Sequence, residues 1–281
     1  MSNPVQGTLN DQFGSDILTA TLVHRFRMTI DSAETGSSAP QGIHWCLGLP
    51  QSPTADLGED GYPIRDDLTP KAPFPHRLWA SSAIEFYQSL PIGATIERRS
   101  RVVGMTEKRG RSGRLVFVEV EHAIMASGVL ALSERQWIVW RENGGAPVEQ
   151  LSLARNDPLH EWPWRRTVAP SEALLFRYAA LTFNTNRLHF DWPYATRVGG
   201  YRGLVVQGPL IAVLLLDLAA HHLGEPNRLS RFSFKGQSPA IAGEPLHLAG
   251  QRQGDEIAFA ALGEGGRIVM TAVGSVSPPR K

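Results

Sequence analysis

Apolar residues run nearly unbroken over positions 210–218, directly behind Pro209. Proline in a first helical turn costs no internal amide bond, so the pattern predicts a helix over 210–223 that is apolar on most of its circumference. Such a helix has to be surrounded by other structure. Four strand candidates follow it, at 229–234, 246–251, 256–262 and 268–275, and these can curl around it.

The first half shows a coarser version of the same order. Ile17, Leu18, Leu22, Phe26 and Met28 form an imperfect apolar stripe that predicts a helix after Ser15, and Leu78, Trp79, Ala83, Phe86 and Leu90 predict a second over 78–90. Alternation at 96–103, 115–125 and 130–140 predicts antiparallel strands. Between the first two lies Lys108-Arg-Gly-Arg-Ser-Gly-Arg114, either a solvent-facing hairpin tip or an anion-contacting loop. Residues 48–75, rich in Pro, Gly and acidic side chains, predict a lid or surface loop.

Weak periodicity with glycines and prolines over 142–168 predicts a boundary, dividing the chain into units 1–150 and 151–281. Behind Pro170, Ser171-Glu172 predicts a helix start, and that helix ends near an asparagine-rich segment. Each half thus reads as helix, proline-containing turn and strands, with Gly93 and Gly243 at matching turns before Ile96 and Leu246. The expected fold class is α+β, two related antiparallel sheets each wrapped around a helix.

Composition narrows the function classes. The 281 residues carry a formal charge of +1, which offers no global field for nucleic acid. Cys46 is the only cysteine, so an intrachain disulfide and a cysteine-rich metal site are both excluded, and cytoplasmic residence is expected. Cys46 and its neighbour His44 read as packed core residues rather than as reactive groups. The first residues lack the pattern of a secretion signal, and the 210–223 segment is too short for comfortable membrane insertion.

Candidate chemistry gathers where an apolar run breaks into Asn184, Asn186, His189 and Asp191. An imidazole with a reference pKa of ~6.5 can take and return protons near neutrality, which suits His189 to acid–base work; packing its ring is the plain alternative. Asn184 and Asn186 can position water and substrate oxygen or simply cap a loop. Asp191 can orient His189 or cap a helix. At Gln207-Gly208-Pro209 the helix start presents amide donors without internal acceptors, and Gly208 permits close approach by a substrate oxygen.

The stretch Tyr178-Ala-Ala-Leu-Thr-Phe-Asn-Thr-Asn-Arg-Leu-His-Phe-Asp-Trp-Pro-Tyr-Ala195, with Gly200-Tyr-Arg-Gly-Leu-Val-Val-Gln-Gly-Pro-Leu210 behind it, resembles the catalytic segment of the MaoC-like double-hotdog hydratases and dehydratases. Arg77-Leu-Trp-Ala80, Pro91-Ile-Gly93 and residues 108–118 resemble the substrate-binding hotdog of the same family. The resemblance implies reversible hydration of an enoyl-CoA, His189 as the catalytic histidine and Asn186 as the asparagine of the family signature. Asn184 stands where broader members carry an aspartate, and an amide cannot act as a carboxylate base, so the resemblance leaves either His189 to make both proton transfers through one water or Asp191 to share them as a catalytic residue.

The resemblance implies, as the leading activity, hydration of a short branched C4-dicarboxylyl-CoA such as mesaconyl-C4-CoA or itaconyl-CoA, giving a hydroxyacyl-CoA such as citramalyl-CoA. A linear acyl-thioester dehydratase, a hotdog thioesterase and a noncatalytic acyl-CoA binder are the alternatives. No metal or redox cofactor is implied, coenzyme A being part of the substrate, and a homodimer is expected. Arg177, Arg187 and Arg202 are candidates for a free substrate carboxylate, and Lys235 and the 108–114 hairpin for the CoA phosphates.

Overall fold

The computed structural model describes residues 3–4, 11–33, 36, 38–64, 68, 74, 76–110, 113–142 and 159–276. Most of the expected boundary at 142–168, the hairpin tip Arg111-Ser112 and parts of the 48–75 excursion lie outside the described residues. The first half contains β1 (Asn3–Pro4), β2 (Asp11–Ile17), α1 (Ala20–Thr29), β3 (His76–Phe86), β4 (Thr95–Gly110), β5 (Gly113–Ala126) and β6 (Val129–Arg141). The second contains β7 (Trp164–Val168), α2 (Glu172–Leu181), α3 (Trp192–Arg197), α4 (Gly208–Leu223), β8 (Leu229–Gly236), β9 (Leu246–Gln253), β10 (Glu256–Leu262) and β11 (Ile268–Val276).

These strands form one continuous eleven-stranded sheet in the order β1-β4-β5-β6-β3-β8-β11-β10-β9-β7, with β2 also on β4. Every pairing is antiparallel. Instead of the two separate sheets expected, the halves are joined by ladder bonds where β3 meets β8, with Ala83 opposite Ser233. About that seam the order is palindromic: β2-β4-β5-β6-β3 mirrors β7-β9-β10-β11-β8.

At the core is α4, buried at every residue from Leu210 to Ala219 and packed against β7, β8, β9 and β10. Its one buried charge, Asp217, accepts from Arg166 at 2.6 Å and from the Ser32 hydroxyl. Gly93 and Gly243 bear out the matched turns, with φ of 90° and 83°. An added Cβ would meet nothing within 4 Å at either, so backbone conformation alone demands glycine there.

Two helix expectations needed correction. The apolar spacing at 78–90 belongs to β3, which is hydrogen-bonded on both sides, to β6 and β8, and buries Ser82 and Ile84 on one face. The first helix starts later than its stripe suggested: Ile17 ends β2, and the Thr19 side chain caps α1 at the Leu22 amide. Where the second half places α4 between α2 and β8, the described residues between α1 and β3 in the first half form two 3-10 turns, Ile43–Cys46 and Thr54–Asp56, and no long helix. A Gln-Gly pair, Gln41-Gly42 and Gln207-Gly208, opens both segments.

Candidate active site

Helix α2 ends so as to launch the candidate loop. Thr182 caps it, Phe183 takes φ +48°, and the amides of Phe183 and Asn184 return to the carbonyls of Ala180 and Ala179. This double closure usually employs glycine at the left-handed position, so phenylalanine there stores strain. The Asn184 Oδ1 accepts from the Asn186 amide at 3.0 Å, and the Asn186 Oδ1 accepts from Leu188 at 3.0 Å. Both asparagines therefore shape the turn through their oxygens, which leaves their NH2 groups as the donors for any ligand.

His189 closes the short turn Arg187–His189 and is only 9% exposed. Its Nδ1 lies 2.7 Å from the Val205 carbonyl, which can only accept, so Nδ1 carries the proton and Nε2 keeps a lone pair. Burial pushes its pKa down to about 4, against a smaller upward pull from the Val205 bond. The ring is a neutral base at physiological pH. Val205 stands three residues ahead of Gly208, so one short segment both fixes the His189 tautomer and presents the first amide of α4. That amide has no acceptor within the helix, Gln207 supplies no side-chain cap, and a Cβ at Gly208 would find its nearest neighbour, the Trp79 carbonyl, 4.0 Å away.

His189, Asn184, Asn186 and Gly208 all line one cleft of about 670 Å³, together with Tyr178, Gln207 and, from the first half, Trp45, Arg98, Ser100, His122 and Gln136. The Tyr178 hydroxyl and Gln207 Oε1 are buried without a hydrogen-bond partner. Part of the 48–75 excursion braces the loop: the Asp60 carbonyl accepts from the Arg187 amide at 2.9 Å, and the Gly61 carbonyl accepts from the Thr185 hydroxyl.

Other expected residues lie elsewhere. Asp191 caps α3 at the Tyr194 amide and pairs with Arg187 at 2.7 Å, so it does not orient His189; Val205 does. Arg187 is held further by the Glu59 carbonyl and the Tyr194 ring. Arg202 pairs with Glu244, Arg177 is exposed, and none of these three arginines lines the cleft. Lys235 is exposed beside the cleft-lining Gly236, and Arg114 pairs with Glu107. Among the described residues the arginines that do line the cleft are Arg77, Arg98 and Arg141; of these the sequence reading singled out only Arg77, within the Arg77-Leu-Trp-Ala80 resemblance. For Arg98 the usable signal was parity, since it alternates in step with Ile96, Ser100 and Val102.

Among the described residues, no three His, Cys, Asp or Glu side chains gather as a metal site, and no helix is long and apolar enough to cross a membrane.

The family profile of hydroxyacyl-thioester dehydratase type 2 matches residues 42–242. Mesaconyl-C(4)-CoA hydratase of Chloroflexus aurantiacus is 42% identical over 84% of this chain and 83% of its own. The mitochondrial type 2 hydroxyacyl-thioester dehydratase of Schizosaccharomyces pombe is 24% identical over 79% of this chain and 80% of its own. A MaoC-like dehydratase from Phytophthora capsici superposes with a TM-score of 0.70 at 14% identity, covering 97% of this chain and 96% of that one. A Mycobacterium tuberculosis protein described as a double hotdog gives 0.57 at 15% identity, covering 97% of each. The chain therefore belongs to the type 2 hydroxyacyl-thioester dehydratase family, within the MaoC-like hotdog hydratases and dehydratases.

Proposed function

We propose that the chain adds water reversibly across the double bond of a short branched C4-dicarboxylyl-CoA, mesaconyl-C4-CoA or itaconyl-CoA, giving a hydroxyacyl-CoA such as citramalyl-CoA. One observation carries the chemistry: a neutral His189, its Nδ1 proton committed to Val205, lines the same cleft as Gly208 at the start of α4. The similarity to the Chloroflexus hydratase supports the substrate class.

In this mechanism His189 Nε2 takes a proton from water as its oxygen bonds to the β carbon. The π electrons move toward the thioester, whose oxygen becomes enolate-like and accepts from the Gly208 amide. The imidazolium then gives its proton to the α carbon, so water is added in full and the base is restored. A folded-state pKa of about 4 makes His189 a weak base at rest. The enolate charge raises its proton affinity only as the reaction proceeds. The Asn184 NH2 group positions the water.

The division of labour follows the two units 1–150 and 151–281: the second half does the proton transfer, and the first shapes the acyl pocket, as two hotdogs joined at the β3–β8 seam. A homodimer and a cytoplasmic site of action belong to the same reading, supported by exposed Phe176, Phe183 and Trp192 and by the single buried Cys46; light scattering tests the dimer. Turnover of a panel of dicarboxylyl, linear enoyl and aromatic acyl-CoAs tests the substrate class. The dicarboxylyl substrates should be fastest, and faster turnover of linear monocarboxylates would move the chain to fatty-acyl dehydration.

A further inference from the structure

The inner face of the first-half sheet carries a polar cluster where register puts nonpolar residues in the second half. Ser100 pairs with His122 and His122 with Glu134, as Gly250 pairs with Phe259 and Phe259 with Ala272. Counted from the matched glycines, Arg98 occupies the position of Leu248, which is fully buried in the core. Among the described residues no α4 counterpart covers Arg98, and it lines the cleft instead.

The cluster is ordered, and among the described residues its guanidinium has no carboxylate bonded to it. His122 is 4% exposed, with Nε2 2.8 Å from Gln136 Oε1 and Nδ1 2.7 Å from the Ser100 hydroxyl. An amide oxygen only accepts, so Nε2 carries the proton and Nδ1 accepts, which also suits the Arg98 Nη2 group 3.3 Å away. Arg98 Nε points to Ser100 Oγ at 3.3 Å. Burial and then the Arg98 charge push His122 down to about 4, keeping it neutral, and burial lowers the Arg98 guanidinium too. Among the described residues no carboxylate forms an ion pair with Arg98; the Glu134 charge acts on it through space, but the Glu134 oxygens are bonded by the Ser82 hydroxyl at 2.6 Å and Trp45 Nε1 at 3.0 Å and lie 3.4 Å from His44 Nε2. A part-buried guanidinium is costly unless an anion completes it, and its planar fork fits a carboxylate.

We propose that Arg98, braced by Ser100, His122 and Gln136, is the receptor for a free carboxylate at the acyl end of the substrate, and so the residue that selects dicarboxylyl over monocarboxylyl thioesters. The identity of that ligand as an acyl-CoA rests on the function proposed above. The contact is read without turnover by measuring binding of succinyl-CoA and butyryl-CoA, which have no double bond to hydrate. The full-length wild type should bind succinyl-CoA at least tenfold more tightly. In Arg98→Gln that preference should vanish through a 10–100-fold weaker succinyl-CoA affinity, in line with a charged hydrogen-bond pair, with butyryl-CoA within about threefold of wild type. Gln136→Glu, nearly isosteric, sets a rival carboxylate in the cluster and should also erode the preference, which keeps the proposal open to refutation if Arg98→Gln fails to fold. Equal affinities in the wild type, a preference that survives substitution, or an equal loss for both thioesters would each overturn the receptor. If the binding preference holds and disappears as expected while the wild type fails to hydrate any dicarboxylyl-CoA, the proposed reaction falls and the receptor stands.

Discussion

The two halves use one strand order to opposite ends. In the second, Leu248, Phe259 and Ala272 face a helix buried along most of its length, and the sheet is a sealed core. In the first, Arg98, His122 and Glu134 take the matching register positions, and the helix is reduced to the turn Ile43–Cys46. The sealed half can hold His189 and Gly208 rigidly because α4 is fixed from all sides. The open half can admit a substrate because its sheet is left partly uncovered. Even its buried Glu134 is provided for: burial would raise the carboxyl, but His44, His122 and Ser82 outweigh that and hold it at about 2.

The largest test of this contrast is removal of the base from the sealed half. His189→Ala should lower kcat by about 10²–10⁴-fold while leaving acyl-CoA affinity and the circular dichroism spectrum close to wild type. A comparable loss of affinity would instead make His189 a packing residue.

Acid should weaken both halves through their neutral histidines. His122 and His189 have folded pKa values of about 4 against a reference of 6.5, so protons bind the unfolded chain first. Their stabilisation is complete above pH 6.5 and is lost as pH falls from 6.5 to 4, by roughly 3 kcal/mol for each. Denaturation midpoints across that range should fall steeply, and less so in His122→Gln; an equal slope in the variant would refute the His122 share. The free-enzyme activity limb should likewise lie near pH 4 rather than 6.5, measured in brief assays on protein shown to be folded.

A smaller effect tests the brace between the halves. A Cβ at Gly61, whose φ is +86°, would lie 1.8 Å from the Thr185 carbonyl oxygen. Gly61→Ala should displace the loop that carries Asn184 and His189 and cost about tenfold in kcat, whereas Gly128→Ala, with open space around it, should strain only its own turn. The smallest change sharpens the account of the α2 exit: Phe183→Gly relieves the left-handed strain by ~1 kcal/mol, and a thermal melt should rise unless the phenyl ring contributes packing.

How much the sequence disclosed follows from these environments. Helix α4 was legible because full burial writes an unbroken apolar run, and His189 because two asparagines and a histidine stand where such a run breaks off. Strand β3 was misread since Leu78, Trp79, Ala83 and Phe86 satisfy helical spacing as well; its two-sided pairing is a tertiary fact. Arg98 stayed hidden within Glu97-Arg-Arg-Ser-Arg101, which reads as a solvated strand until register separates the inward Arg98 and Ser100 from the outward Arg99 and Arg101. Strand β7 was lost inside a span chosen as a boundary, five residues being too few for periodicity to speak.

The central claim is that this cleft adds water to a carbon–carbon double bond and leaves the thioester whole. Incubation of the wild type with mesaconyl-C4-CoA in ¹⁸O-labelled water, followed by mass spectrometry of the acyl-CoA and a free-thiol assay, tests it most directly. The account predicts one ¹⁸O in a hydroxyacyl-CoA product with no thiol released; release of CoA thiol, or an acyl-CoA recovered without label, would contradict it.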